Sequence, residues 1–190
     1  KKHPEGLKVL FFTEMWERMS YYGMRGLLIL FMTAGISEGG LNFDNISASA
    51  IYGIYASSVY LLALPGGWIG DRILGQQKAI FYGGLIITIG HFLLAFTLIE
   101  TFYLGLLFVV LGTGLLKPNI SAIVAGLYEK LPELRESGFT IFYMAINIGS
   151  ILGFFICGFL GENIGWHYGF AAAGIGMFFG LIQFVLKKKS

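Results

Sequence analysis

The chain has 190 residues and a formal net charge of +2, with 56% hydrophobic and only 13% charged side chains. Soluble domains carry about a quarter charged residues, so this composition, with a mean hydropathy of +0.73, excludes an ordinary soluble domain and points to a polytopic membrane protein. The 28 glycines suit closely packed membrane helices, and the single cysteine, Cys157, excludes an intrachain disulfide and any CxxC zinc site.

A bilayer core takes about 20 mostly apolar residues per helix. Six stretches qualify in chain order: Leu7–Thr33, Ser47–Ile69, Lys78–Leu98, Thr101–Tyr128, Gly138–Leu160 and Tyr168–Leu186. The first is long and has no small-residue cleavage site after it, so it reads as a span and not as a signal peptide. Short polar connections separate the spans, ISEGGLNFDN and DRILGQQ among them, and no stretch alternates as a barrel strand does. The predicted fold is an all-α membrane protein, a bundle of six transmembrane helices. No internal sequence repeat is visible. The chain opens at Lys1 without a methionine, so a segment upstream is expected.

Orientation follows from the basic residues. Lys1, Lys2, Lys8, Arg72, Lys78, Lys130, Arg135, Lys187, Lys188 and Lys189 all fall in the tails and in the loops on their side. The opposite loops carry Glu38, Asp44, Glu100 and Glu162. The positive-inside rule places both ends in the cytoplasm.

Arg18, Arg25 and Lys117 remain, and they lie within spans together with Glu14 and Glu17. At about 100° per residue, Glu14, Glu17, Arg18, Tyr21, Tyr22 and Arg25 share one arc of about 140° on the first helix. Five such charges facing lipid would cost on the order of 15 kcal/mol even on a lenient insertion scale, comparable to a domain's whole stability. They must face the bundle interior, water or each other, and Glu14 and Arg18 at i and i+4 can pair. A carboxylate beside an arginine in a partly dry cavity exchanges protons according to the arginine's position. That is the physics of a proton-coupled carrier.

Further along, Lys117 stands beside Pro118, which disturbs the helix and frees a backbone carbonyl. In the fifth span Tyr143 and Asn147 stand at i and i+4, with Ser150 a turn further, and Tyr60 lies in the second span. His91 in the third span is expected to be a hydrogen-bonded structural residue, and Cys157 a small buried one.

These residues carry a resemblance to the proton-coupled oligopeptide transporter family of the major facilitator superfamily. TEMWERMSYYGMR is similar to that family's ExxER-YYGMR signature at Glu14, Glu17, Arg18, Tyr21, Tyr22, Gly23 and Arg25. GGWIGDRILG resembles its loop motif at Gly66, Gly67, Asp71, Arg72 and Gly75, and GTGLLKPN and FYMAINIGS resemble its fourth- and fifth-helix signatures. Two departures are Met19 in place of the usual Phe, and Gly53 where some relatives place a histidine.

The resemblance implies that Glu14, Glu17 and Arg18 form a proton-coupling cluster. It implies that Tyr22, Arg25, Tyr60, Lys117, Tyr143 and Asn147 line the peptide site, with Arg25 and Lys117 suited to a carboxylate, and that Asp71 and Arg72 form a cytoplasmic latch. The implied function is proton-driven symport of di- and tripeptides across a plasma (inner) membrane, with protons as coupling ion and no other cofactor or metal. Family members have two six-helix halves around the substrate, so this chain is expected to be the N-terminal half, partnered by a C-terminal six-helix half and by lipid. A relative carrying nitrate or another small solute, or a non-transporting sensor, are the alternatives. No HExxH, GxSxG or phosphate-loop motif supports an enzyme, and the basic residues follow topology and form no nucleic-acid patch.

Overall fold

The computed structural model describes residues 2–96 and 98–188. Six long helices run in order: α1 (Gly6–Thr33), α2 (Asn45–Ile69), α3 (Gln76–Ala95), α4 (Ile99–Leu127), α5 (Arg135–Asn163) and α6 (Trp166–Lys188). Among the described residues there is no strand. A helix coincides with each expected span, and most helices extend a few residues past it, because polar residues at the interface prolong a helix beyond the hydrocarbon. The third span is shorter than expected. It ends at Ala95, where the Phe96 amide turns back to Leu93 and Leu94, and Leu98 already caps α4. Of the basic residues used for orientation, Lys1 and Lys189 lie outside the described residues.

The DRILGQQ segment is not a plain loop. Gly70–Leu74 winds on from α2 as a π turn, and Gly75, at a φ of 83°, ends it and begins α3. A positive φ of this kind is available to glycine without a Cβ clash.

Five helical segments are apolar and long enough to cross a membrane: Asn45–Leu74, Gln76–Ala95, Ile99–Leu127, Pro132–Asn163 and Trp166–Lys187. At 1.5 Å per residue α3 is about 30 Å long, the thickness of a bilayer core. α1 is longer and carries Glu14, Glu17, Arg18 and Arg25 among its apolar residues. It packs on α5 and α6, while α3 packs on α4 and α6 and α2 on α4. The apolar side of α1 is therefore bundle core: Met19, Met24, Leu27, Leu28 and Phe31 are buried with Val109, Phe170 and Ala173.

The packing has an internal symmetry that the residues do not display. α1 packs against the second and third helices of the later triple, α5 and α6; α4 packs against the second and third of the earlier one, α2 and α3. Each triple crosses the membrane an odd number of times, so the two are inverted relative to one another.

Glycine sets the closest approaches. A Cβ on Gly66 of α2 would stand 1.9 Å from the Gly114 carbonyl oxygen of α4. That carbonyl is the one Pro118, four residues on, leaves without an intrahelical N–H. Asn119 completes the crossing by donating its side-chain amide to the Gly66 carbonyl at 3.1 Å and to Leu115 at 2.6 Å. Two sequence motifs that lie far apart in the chain thus form one helix–helix joint. On α1, Cys157 fills the space opposite Gly23, as expected of a small buried side chain.

Burial is uneven. Within the apolar windows 17% of α2 and 28% of α5 is buried, against 50% for α3, α4 and α6, so α2 and α5 keep an open face. At Gly66, alanine meets backbone that cannot yield, and Gly66→Ala is expected to destabilise the protein by about 3 kcal/mol, the upper end of ordinary overpacking. At Gly53, where a Cβ meets nothing within 4 Å, alanine is expected to be neutral or stabilising by about 0.5 kcal/mol. Thermal unfolding of the two variants in detergent checks the contrast.

Candidate functional site

Glu14 and Glu17 of α1 are fully buried and Arg18 is 8% exposed. The i, i+4 spacing predicts Arg18 on Glu14, and that ion pair exists at 3.6 Å. The tighter partner is the adjacent residue. Arg18 Nε and Nη2 donate to Glu17 Oε2 and Oε1 at 2.5 and 2.6 Å, a bidentate fork. The reason lies on α4: Lys117 Nζ donates to Glu14 Oε1, so Glu14 is drawn toward Lys117 and Arg18 turns to Glu17. Two carboxylates and two cations close a neutral set across two helices, and Glu14 Oε2 is left without a hydrogen-bond partner among the described residues.

Aromatic rings flank the guanidinium. Arg18 Cζ sits 4.3 Å from the Tyr21 ring centroid and 5.5 Å from that of Tyr22, distances at which the ring face attracts a cation. Tyr21 stacks at 6.3 Å on Tyr55 of α2, a buried side chain whose hydroxyl has no partner among the described residues. Two turns along α1, Arg25 is exposed; its Nε donates to the Tyr52 hydroxyl of α2 and its Cζ lies 5.5 Å from that ring.

Apart from Tyr22, whose ring flanks Arg18, the remaining expected site residues are not drawn into this cluster. Tyr22 is half-buried beside Phe154, with ring centroids 6.2 Å apart. Tyr60 is 78% exposed on α2 and Tyr143 54% exposed on α5, and Asn147, one turn from Tyr143, is exposed as well. Asp71 and Arg72 sit on the exposed π turn after α2, where Asp71 accepts from Gln76 at 3.3 Å and makes no ion pair with Arg72 among the described residues.

Sequence reasoning missed Tyr52 and Tyr55. Their i, i+3 spacing in IYGIY puts both on the side of α2 that meets α1, but nothing local marks a tyrosine as an arginine partner. At His91, where a hydrogen-bonded structural role is expected, the ring is fully buried and neither nitrogen has a protein hydrogen-bond partner among the described residues.

These residues define a multi-pass helical membrane bundle with a neutralised charge cluster between its first and fourth helices. The model of the POT family matches residues 77–189, and the chain belongs to that family. A peptide transporter of Yersinia enterocolitica, YePEPT, is 48% identical over 185 residues, covering 96% of this chain and 36% of that protein. A di-/tripeptide transporter of Lactococcus lactis is 44% identical over 184 residues, 95% of this chain and 37% of its own length. A crystal structure of peptide transporter POT in complex with sulfate matches with a TM-score of 0.94 at 46% identity, covering 98% of this chain and 38% of that one. The chain therefore spans under two fifths of the length of these relatives.

Removing one member of a fully buried ion pair costs about 3–5 kcal/mol, because the other charge is stranded. The Lys117 side chain is 26% exposed and Arg18 stays 3.6 Å from Glu14, so Lys117→Met is expected to lower the thermal stability of the full-length protein by less, about 2–3 kcal/mol. Adding Glu14→Gln removes the stranded charge and restores most of the loss. A double variant no more stable than the single one would show that the two residues are not coupled.

Proposed function

We propose that this chain is the N-terminal six-helix half of a proton-coupled symporter that carries di- and tripeptides into the cytoplasm by alternating access. The supporting observation is the Glu14–Glu17–Arg18–Lys117 set. Because its charges balance, adding one proton to either carboxylate leaves one cation in excess. A buried cation without a partner recruits an anion, and a peptide's carboxylate is one. Proton uptake and substrate capture thus become one event, with Glu14, Glu17 and Arg18 as the coupling cluster.

Lys117 and Arg25 are the candidate carboxylate contacts. Arg25 offers the better-organised fork, and Lys117 the one whose release from Glu14 reports protonation. Tyr22, Tyr60, Tyr143 and Asn147 supply hydroxyls and an amide able to bond the peptide backbone, which every side-chain sequence shares. On this reading the C-terminal half covers the open faces of α2 and α5 and lipid surrounds the rest. The ends of the chain are cytoplasmic in the plasma (inner) membrane, Asp71 and Arg72 latch onto the other half, and protons are the only coupling species. The names of the Yersinia and Lactococcus relatives support the substrate class.

Liposomes containing the full-length protein test this directly. Accumulation of a labelled dipeptide above equilibrium under an inward proton gradient, abolished by a protonophore, is expected. Sound liposomes without uptake would move the substrate to nitrate or another small solute, or make the protein a sensor. Glu17→Gln is expected to abolish gradient-driven uptake while peptide counterflow persists, and equal loss of both would remove Glu17 from coupling.

A further inference from the structure

His91 is a buried titratable side chain that the coupling scheme leaves unused. A neutral imidazole presents a donor at one nitrogen and an acceptor at the other, and leaving such a group unpaired inside a protein is unfavourable. Nothing near it in sequence relieves this, since Thr88 on the same helix turns its hydroxyl to the Gly84 carbonyl at 2.8 Å. α6, which packs on α3, offers no titratable group between Tyr168 and Lys187 and buries Ala173 and Met177. α1 contributes Glu17, the charged group that acts on the ring. α4 contributes Thr113 and, one turn on, Lys117.

Two further polar atoms share this condition. Thr113 is 1% exposed, and neither its Oγ1 nor Glu14 Oε2 has a hydrogen-bond partner among the described residues. Helix register brings the three groups to one region. Gly112 meets Ile87, and Gly105 meets Gly90, which sets His91 about two helical turns or less along the bundle from Thr113. Thr113 and Lys117 share a face of α4 at i and i+4, and Lys117 reaches Glu14. Up to two helical turns exceed the reach of a single water, so three orphaned polar groups on three adjoining helices call for a short file of internal waters, each making two to four hydrogen bonds to such groups or to the next water.

We infer that His91 is a further proton-handling residue, linked through water held by Thr113 and Glu14 to the Glu14 and Glu17 carboxylates. The step is a proton transfer alone. A proton on a carboxyl oxygen of the cluster passes along the water to the free electron pair of a ring nitrogen, leaving carboxylate and imidazolium, and the reverse transfer returns it. Chains of Asp, Glu and His inside membranes characteristically serve as proton relays. This inference rests on the proton-coupled reading above.

Its test has one arm that does not need transport. Ring-15N spectra of histidine-labelled full-length protein, with the His91 signal assigned by its loss in His91→Gln, are recorded between about pH 4 and 9, in wild type and in Glu17→Gln. The expected result is a His91 titration whose midpoint falls by about one pH unit, a tenfold loss of proton affinity, when Glu17 is neutralised, because a nearby anion favours the imidazolium. A ring that does not titrate in that range, or whose titration ignores Glu17→Gln, overturns the inference. In liposomes, His91→Gln is expected to shift the pH profile of uptake by a similar amount and spare counterflow, and Thr113→Val to shift it less in the same direction. Unchanged profiles in both variants overturn it too. Wild-type protein that does not transport at all would sink the proposed function instead, and the spectra would still decide the role of His91.

Discussion

Two carboxylates and two cations sit at the centre of this bundle, and their desolvation sets the terms for everything around them. Each charge on α1 costs roughly 2.5–3.5 kcal/mol at mid-bilayer if left to lipid, so α1 cannot be a peripheral helix. Burying it among α5, α6 and α4 answers that cost only if partners of opposite sign come with it. Arg18 serves Glu17 from the same helix, and Lys117 serves Glu14 from α4. The second pairing has the wider consequence, because it ties together the leading helices of the two three-helix units. Lysine suits this place better than arginine on physical grounds. A single ammonium on a flexible stem can leave one carboxylate for another, where a bidentate fork would hold its position.

Bringing α4 close enough for that contact needs a bundle with very little side-chain bulk at its crossings. The Gly66–Gly114 approach provides it on the α2 side. There Pro118 turns from a helix-breaking residue into part of the joint, since the carbonyl it frees is the one that faces Gly66. Asn119 then satisfies backbone oxygens on both helices. The neighbours Lys117, Pro118 and Asn119 thus divide their work: the first binds charge, and the other two fix the helix that carries it.

How much of this was legible beforehand depended on how local the cause is. Span positions came from hydropathy alone, and the interior location of Glu14, Glu17, Arg18 and Lys117 came from the cost of exposing them. The partners did not. Helix geometry favours i, i+4, yet Arg18 prefers its adjacent Glu17, because Lys117, 103 positions from Glu14, takes one oxygen of the expected acceptor. Tyr52 was invisible as a partner of Arg25 for the same reason, and so was the lack of a protein partner at His91 among the described residues. The inverted packing of the two triples left no trace in residue identity, because it is carried by where small residues let helices meet. Asp71 and Arg72 were read as loop residues, since a π turn has no signature that separates it from a helix end.

The open side of the molecule follows the same electrostatic constraint as its centre. Arg25 is exposed on α1, Tyr60 on α2, and Tyr143 and Asn147 on α5. A guanidinium, an amide and phenolic hydroxyls gain nothing from hydrocarbon, and Arg25 in particular would repeat the cost that the buried cluster avoids. Yet the same helices expose Leu61, Leu64, Trp68, Phe155 and Phe159, which water does not favour. A surface that is polar along one strip and apolar beside it is satisfied by neither solvent alone. On the reading proposed above, a second helical bundle covers the apolar parts and leaves the polar strip as the wall of a wet cleft. The uneven burial of α2 and α5 is then what half of a cavity leaves open. On that reading, the charges that answer a substrate are first made to answer each other within this half.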